Sequence, residues 1–291
     1  MVQDIDVSII ATAHRPENWL AICNSFITKC KIEFVFVGPN PPVDIMPENF
    51  NYIRSRVKPA QCVEIALRNA VGKYVMIFAD DMTLEEPYGL DDLLKTLVNQ
   101  SNDFAIASCR YRQNGILIEE SSSRFIDGDE STPMMPLAGL MLRNSLNSIG
   151  GIDKRFIGVN YDLDLAMRFY AQGGTIFFPN VHAHEKFELR GTSRLWNENQ
   201  EHDRKLLNSL WISGTQVLNF RNDDVQKYVE WDLTLFSQGP RGHWRGEGNF
   251  FLEIIEDIPY HVKRFFNSQR EKEFPRLRPI YRWIKKRFGK L

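Results

Sequence analysis

Residues Tyr74–Leu84 read YVMIFADDMTL, so five apolar side chains after Tyr74 lead directly into the adjacent acids Asp80 and Asp81. A short run rich in β-branched and aromatic residues is typical of a strand buried on both faces. In open α/β sheets, ligands bind beyond the carboxyl ends of such strands. Two neighbouring carboxylates repel each other, and a hard divalent cation relieves that repulsion. The pair therefore predicts a metal site; the alternative is a polar loop or a helix cap.

The segments before this strand alternate between strand and helix patterns. The predicted elements are strands over 7–13, 32–38 and 52–55, a helix from Pro16, and a helix over 60–70. This order implies parallel strands joined by right-handed crossovers. The loops that begin at Thr12, Gly38 and Asp80 should then lie at one edge of the sheet. No glycine pattern of a dinucleotide fold or a P-loop occurs at these loops.

The segments after the strand continue the α/β pattern. A helix is predicted over 90–98, a strand over 104–109, and a hairpin or mobile loop over the polar residues 114–130. Gly139 interrupts an apolar stretch, where a glycine permits close approach of the backbone to a ligand or simply eases packing. Gly139 is therefore a candidate acceptor or lid residue.

A second pair of acids, Asp162 and Asp164, falls in the first turn of a helix that is predicted to start near Tyr161. Acids in a first turn stabilise a helix through its dipole. At 3.6 residues per turn the two side chains point about 200° apart. One of them can therefore face a cleft, while the other caps the helix or pairs with Arg168, four residues further on.

Two histidines, His182 and His184, follow a short predicted strand near 176–179. Residues two apart share one face of an extended segment. Neutral imidazole from His184 together with carboxylates makes a mixed oxygen and nitrogen site of the kind that suits manganese.

The composition of the chain indicates which kinds of partner and location to expect. The chain has 291 residues, 43% of them hydrophobic and 25% charged, and a net charge of −1, so no global field attracts nucleic acid or a membrane. Its four cysteines lack zinc-site spacing, which predicts reduced thiols. The N-terminus does not have the pattern of a signal peptide, and no apolar run approaches the length of a membrane span. The expected location is the cytoplasm.

Three ordered motifs together resemble the family 2 glycosyltransferases, which have the GT-A fold. The first motif is VSIIATAHRP at 7–16, which is similar to SIIIPTYNRP. The second consists of the helix 60–70, Gly72–Tyr74 and Asp80–Asp81, and it is similar to A-x-G-x-Y…DD. The third is GGIDKRF at 150–156 with YDLDL at 161–165, which is similar to GGFDE-x-F…ED-x-DL. The resemblance covers roughly residues 5–195. It implies an α/β, GT-A-like fold with a mostly parallel central sheet flanked by helices. The expected domains are a core over 1–195 and a mainly helical C-terminal extension over 196–291.

The resemblance implies an inverting transfer of a sugar from a nucleoside-diphosphate donor to a hydroxyl acceptor, helped by Mn2+ or Mg2+. Asp162 would be the general base that deprotonates the acceptor. The implied metal ligands are Asp81, Asp80 and His184. The implied nucleotide and donor residues are Thr12, His14, Arg15, Gly38, Gln61 and Asp80. A developing negative charge on the leaving diphosphate calls for a cation, and the incoming hydroxyl calls for a carboxylate.

The chain departs from the family pattern at three places. Ala79 stands where many relatives have the first acid of a triplet. The metal would then be bound more weakly, or by Asp81 and His184 alone. Tyr161 replaces the Glu that commonly precedes the base, and the loop 38–40 replaces an acidic turn that often reads the nucleotide base. The alternative function is therefore a non-catalytic sugar- or nucleotide-binding protein on a degenerate GT-A fold.

The C-terminal third carries two further features beyond predicted helices at 197–210 and 225–235. The glycine-rich segment 237–248 holds Trp244 and Arg245, which suit a lid over donor or acceptor, with a plain connector as the alternative. Basic and aromatic residues interleave over 264–290. Such a helix lies on an anionic membrane surface or packs its aromatic side on the core. The former suits a lipid-linked glycan acceptor and a peripheral location on the inner face of a membrane; no nucleic acid partner is expected.

Overall fold

The structure is a computed structural model that describes residues 5–55, 57–118, 124–126, 131–185 and 194–222, with the side chains of 194–199 excepted. The predicted helix at 225–235, the glycine-rich segment with Trp244 and Arg245, and the basic tail lie outside the described residues. Their proposed roles stay predictions.

The described residues form these elements in chain order. The strands are β1 Val7–Thr12, β2 Ile32–Gly38, β3 Phe50–Arg54, β4 Tyr74–Ala79, β5 Met82–Leu84, β6 Ile106–Ser108, β7 Arg110–Gln113, β8 Ile116–Leu117, β9 Gly139–Leu142, β10 Ile176–Phe177, β11 His182–Glu185, β12 Ile212–Ser213 and β13 Gln216–Val217. The helices are α1 Trp19–Ser25, which follows a 3-10 turn at Pro16–Asn18, α2 Pro59–Asn69, α3 Gly89–Val98, α4 Arg143–Ser148, α5 Tyr161–Ala171 and α6 Arg194–Trp211.

The central sheet has the strand order β10-β6-β9-β4-β1-β2-β3 within the described residues. β1 pairs in parallel with both β2 and β4, and the register sets Thr12 opposite Val37 and Ala79. β9 is antiparallel to both of its neighbours, β4 and β6. This arrangement confirms the predicted α/β, GT-A-like fold with a mostly parallel central sheet, and it brings the ends of β1, β2 and β4 to one edge.

Helices cover both faces of the central sheet, because successive strand residues point to opposite sides. Ile10 belongs to the hydrophobic cluster that includes α2, α5 and the end of α6. Its neighbours Ile9 and Ala11 belong to the cluster that includes α1 and α3. The continuous apolar character of β1 and β4 therefore reflects burial on both faces, as the sequence predicts.

A smaller sheet with the order β5-β11-β7-β8 stands beside the central one. β11 runs antiparallel to β5, with Glu185 opposite Met82 and His184 opposite Thr83. Asp80 and Asp81 are the two residues between β4 and β5, so they link the central sheet to the small one. The hairpin of β7 and β8 confirms the hairpin alternative for the first part of 114–130.

The turn at Gly150 and Gly151 shows why two glycines are required there. Their φ angles are +95° and +71°, which disfavour residues with a Cβ. A Cβ on Gly151 would also lie 2.5 Å from Oε2 of the buried Glu64 on α2, an oxygen that accepts a hydrogen bond from the amide of Ile152 at 2.7 Å. Glu64 thereby fixes the loop that leads to α5.

Helix α6 packs against the central domain through buried Leu207, Leu210 and Trp211. The predicted division at residue 195 stays a prediction. Among the described residues, no helix is both long and apolar enough to cross a membrane. All four cysteines are free thiols.

Candidate active site

Asp80 anchors the loop that follows β1. Its Oδ2 accepts hydrogen bonds from the backbone amides of His14 and Arg15, the latter at 2.6 Å, and its backbone carbonyl accepts one from Asn18 at 3.0 Å. The side chain is buried. Charge-assisted bonds from backbone amides are strong, so this carboxylate fixes the path of the chain between β1 and α1.

Arg15 bridges the two adjacent acids. Its Nη1 lies 2.6 Å from Oδ1 of Asp80 and 2.6 Å from Oδ2 of Asp81. Burial works to lower the pKa of Arg15, but the charges of Asp80 and Asp81 outweigh it and the pKa is raised. The guanidinium thus supplies a positive charge that offsets the repulsion between the two carboxylates.

Glu185 on β11 joins Asp81 at this point, although nothing in the sequence singles it out. Burial, followed by the charge of Asp81, raises the pKa of Glu185 to about 7. Burial raises the pKa of Asp81 as well, with a further contribution from Asp80 and an opposing one from Arg15. Two carboxyl groups whose pKa values are both raised by burial form a donor set that fits a hard divalent cation such as Mg2+ or Mn2+.

The two histidines of β11 contact a different pair of acids. His182 donates its backbone amide to Oε2 of Glu86 at 2.6 Å, and its Nδ1 lies 2.6 Å from Oε1 of the same residue. Glu85, Glu86 and His182 form a group whose donor atoms lie within 4.8 Å of one another. Nδ1 of His184 lies 3.6 Å from Glu85. The joint metal role of His184 with Asp80 and Asp81 stays a prediction.

Three predicted nucleotide residues have contacts inside the protein. Burial lowers the pKa of His14, with the charge of Asp80 opposing it. The thiol of Cys62 lies beside Thr12, at the end of β1. The amide of Gln61 is used at both ends: its oxygen accepts from the backbone of Lys58 at 3.3 Å, and its nitrogen donates to the carbonyl of Lys154 at 2.9 Å. Their contact with a donor stays a prediction.

Two glycines at the edge are explained by packing. A Cβ on Gly38 would lie 1.7 Å from the carbonyl oxygen of Ala13, so only glycine allows β2 to end against β1 there. A Cβ on Gly139 would lie 2.9 Å from Cβ of Pro136 and 3.0 Å from Cγ2 of Ile106. Gly139 thus fits the packing alternative that the sequence left open, and ligand contact by either glycine stays a prediction.

Asp162 lines a cleft of about 640 Å³ at the start of α5. Met135 and Leu137 contribute to one part of the lining, and Gln200 and Arg204 of α6 to another. Burial, with a smaller effect of Asp203, raises the pKa of Asp162 to about 6. A half-buried carboxylate with this pKa is ionised at neutral pH and is a stronger base than an exposed aspartate, which suits proton abstraction.

Asp203 of α6 holds the loop in front of this cleft. Its carboxylate accepts hydrogen bonds from the backbone amides of Ile157, Gly158 and Val159 at 2.8 to 2.9 Å. The sequence offered no signal for Asp203, because it lies in a polar run that reads as a solvated helix. It is nevertheless fully buried, and it sets the entry to α5.

Asp164 turns away from the cleft. It accepts hydrogen bonds from Nε of Arg168 and from Nε1 of Trp211, both at 2.9 Å, and lies 3.4 Å from Nη1 of Arg221. This confirms that one acid of the pair faces a cleft while the other pairs with Arg168.

Comparisons with known proteins bear on the fold. No protein-family model matches the sequence, and no curated protein does. Among solved structures, residues 1–349 of S. aureus TarS superpose with a TM-score of 0.50 at 13% identity, covering 70% of this chain and 71% of that one. TarS in complex with UDP-GlcNAc gives a TM-score of 0.48 at 13% identity, covering 70% and 72%. A mannosyltransferase from Pyrobaculum calidifontis in complex with GDP-Man and Mn2+ gives 0.48 at 19% identity, covering 65% and 59%.

The likeness to TarS agrees with the strand order and the helical layers described above. At this level of identity it concerns the fold alone. The chain therefore has a GT-A-like fold, with Asp80 and Asp81 at the edge where the parallel strands end.

Proposed function

We propose that this chain is a glycosyltransferase that moves a sugar from a nucleoside-diphosphate donor to a hydroxyl acceptor. The single observation that carries the proposal is the group of Asp81, Glu185 and Arg15 at the carboxyl edge of a GT-A-like sheet. Ligands of open α/β sheets bind at that edge. Carboxylates for a divalent cation and a guanidinium for phosphate oxygens are the groups that a diphosphate requires.

On the donor side, Asp81 and Glu185 would hold the divalent cation. When bound, the cation neutralises the negative charge that develops on the leaving diphosphate. Asp80 keeps the loop from His14 to Asn18 in place through its four hydrogen bonds, so the donor would contact a fixed surface. Arg15 offers a guanidinium to the phosphate oxygens.

On the acceptor side, Asp162 takes the proton from the attacking hydroxyl. Its raised pKa and its place on the wall of a 640 Å³ cleft support this role. Asp203 holds the loop 157–159 and thereby the start of α5. The resemblance to family 2 glycosyltransferases implies a single displacement, which inverts the configuration of the sugar carbon.

The test is the thermal unfolding midpoint with UDP, GDP, CDP and TDP, each with and without Mn2+. A ligand that binds only the native state raises the midpoint by mass action. We expect a Mn2+-dependent rise with one of the four nucleotides, which would name the base of the donor. Asp81→Asn should lose the Mn2+-dependent part of the rise. A folded protein that responds to none of the four contradicts the proposal.

The second candidate is a non-catalytic binding protein on the same fold. Two observations favour it: Ala79 replaces an acid, and Arg15 already neutralises Asp80 and Asp81. Hydrolysis of the sugar donor without acceptor separates the two functions. Slow release of the nucleoside diphosphate supports the transferase, and tight donor binding with no hydrolysis and no transfer supports the binding protein.

A further inference from the structure

The carboxylate oxygens of Asp80 are both engaged by the loop that Asp80 holds. Oδ2 accepts the backbone amides of His14 and Arg15, and Oδ1 receives the Arg15 guanidinium at 2.6 Å. A cation at Oδ2 would have to compete with two backbone amides within a buried group, whereas Oδ1 is held by the same Nη1 that contacts Asp81. Asp80 is therefore the poorer ligand of the pair for an incoming ion, and Asp81 is the better one.

Asp81 is itself covered by a positive charge. Nη1 of Arg15 lies 2.6 Å from Oδ2 of Asp81. A divalent ion bound to Asp81 would compete with Arg15 for this position. Two cations at one carboxylate repel each other strongly at such distances. The Arg15 side chain is 42% exposed, against 6% for Asp80 and 16% for Asp81, so Arg15 is the group with room to leave.

We infer that Arg15 is an internal counterion that competes with the divalent cation for Asp81 and so weakens cation binding in the absence of donor. The inference rests on the proposed function, since it concerns the cation of that site. Arg15 keeps the acids neutralised in the empty protein and leaves Asp81 when the cation arrives. The released guanidinium is then available to phosphate oxygens, which it binds in a bidentate manner.

This role of Arg15 predicts that the binding of Mn2+ and the binding of the nucleoside diphosphate are coupled. A nucleoside diphosphate that draws Arg15 away from Asp81 raises the affinity for Mn2+, and by linkage Mn2+ raises the affinity for the nucleotide by the same factor. The part of this coupling that depends on Arg15 disappears when the guanidinium is removed.

The experiment is a titration of the full chain with Mn2+ alone, followed by electron paramagnetic resonance of the free ion. We expect Arg15→Gln to bind Mn2+ about tenfold more tightly than the wild type, because one competing charge has been removed. Arg15→Met, which keeps much of the length of the side chain without its charge, should give the same gain. Asp81→Asn should abolish binding at this site in either background.

Lys205→Gln is the matched control, since Lys205 on α6 pairs with Glu201 at 2.7 Å rather than with Asp81. It should bind Mn2+ as the wild type does. The inference is overturned if Arg15→Gln and Arg15→Met, both folded by circular dichroism, bind Mn2+ no more tightly than the wild type, or if none of the proteins binds it. No nucleotide is present, so this result is independent of whether the donor panel identifies a nucleotide.

Discussion

Two pairs of acids supply candidate site residues, Asp80 with Asp81 at the end of β4 and Asp162 with Asp164 at the start of α5. In each pair one carboxylate is buried by its partners and the other is left with a raised pKa. Asp80 and Asp164 hold the fold, whereas we assign Asp81 and Asp162 to the places where a donor and an acceptor would bind.

The two structural carboxylates, those of Asp80 and Asp164, are held in different ways. Asp80 is held by backbone amides and by Arg15 of the single loop after β1. Asp164 is held by Trp211, Arg168 and Arg221, which come from three separate segments. The first contact fixes a local loop, and the second ties α5 to α6 and to the chain beyond it. Which acid remains available is thus decided by the donors around it.

The largest effect on stability is expected for Asp164→Ala. Removal of a buried carboxylate takes away a partner of two buried guanidinium groups, which typically costs about 3–5 kcal/mol. Urea unfolding at pH 7.5 measures it. Asp162→Ala, two residues earlier on the same helix, is the control and should cost about 1 kcal/mol or less. Equal costs for the two variants would contradict the division of roles within this pair.

The next effect concerns the pair at the end of β4. Asp80→Ala should cost about 2–3 kcal/mol, because the backbone amides of His14 and Arg15 lose a charged acceptor. Asp81→Ala should change the free energy of unfolding by about 1 kcal/mol or less, since it removes a carboxylate that burial already disfavours. The same urea titrations apply. If Asp81→Ala proves as costly as Asp80→Ala, then Asp81 is also part of the framework.

A smaller effect should appear in the pH dependence of stability. Burial and Asp81 raise the pKa of Glu185 from 4.5 to about 7, so the folded state holds this proton more tightly than the unfolded state. The stabilisation is full below about pH 4.5 and is lost as the pH rises through about 7. Relative to Glu185→Gln, the wild type should lose about 1–2 kcal/mol between about pH 5 and 8 in EDTA.

Asp81→Asn provides the control for that measurement. Without the charge of Asp81, the pKa of Glu185 should fall, and the effect of Glu185→Gln on the pH dependence should shrink in that background. An effect of Glu185→Gln on the pH dependence that is equal in the two backgrounds would show that the two carboxyl groups do not interact.

The smallest effect on stability is expected for Asp162→Asn, whose change at pH 7.5 should be within about 1 kcal/mol. The asparagine can still accept the amide of Leu163, which Asp162 accepts at 2.9 Å. Sugar transfer should nevertheless fall by about 100-fold or more, because the base is lost. Donor binding, measured by the thermal midpoint, should stay near that of the wild type. Full transfer by this variant would exclude Asp162 as the base.

The sequence predicted the fold well where a local pattern decides the structure. The strand before Asp80 and the helix from Tyr161 follow from apolar runs and glycine turns, and both occur where they were predicted. The antiparallel direction of β9 was not predictable, since the direction of a short apolar segment depends on which strands it joins.

The candidate site was predictable only in part. The sequence drew attention to His184 and gave no signal for the neighbouring Glu185, whose pKa Asp81 helps to raise. Adjacent residues of a strand point to opposite faces, and the register of β11 against β5 decides which face turns to Asp81. Asp203 was missed because its three amide donors lie more than 40 residues away in the chain.

By itself the sequence determined that this chain folds as a mostly parallel α/β sheet with two acidic pairs at the ends of its elements, because apolar periodicity and glycine turns act over a few residues. Only the tertiary structure decided which acid of each pair is available, since that depends on donors from distant segments: the backbone amides of His14 and Arg15 for Asp80, and Trp211 and Arg221 for Asp164. Burial and opposing charge, which set the pKa of each carboxyl group, arise only when those segments meet.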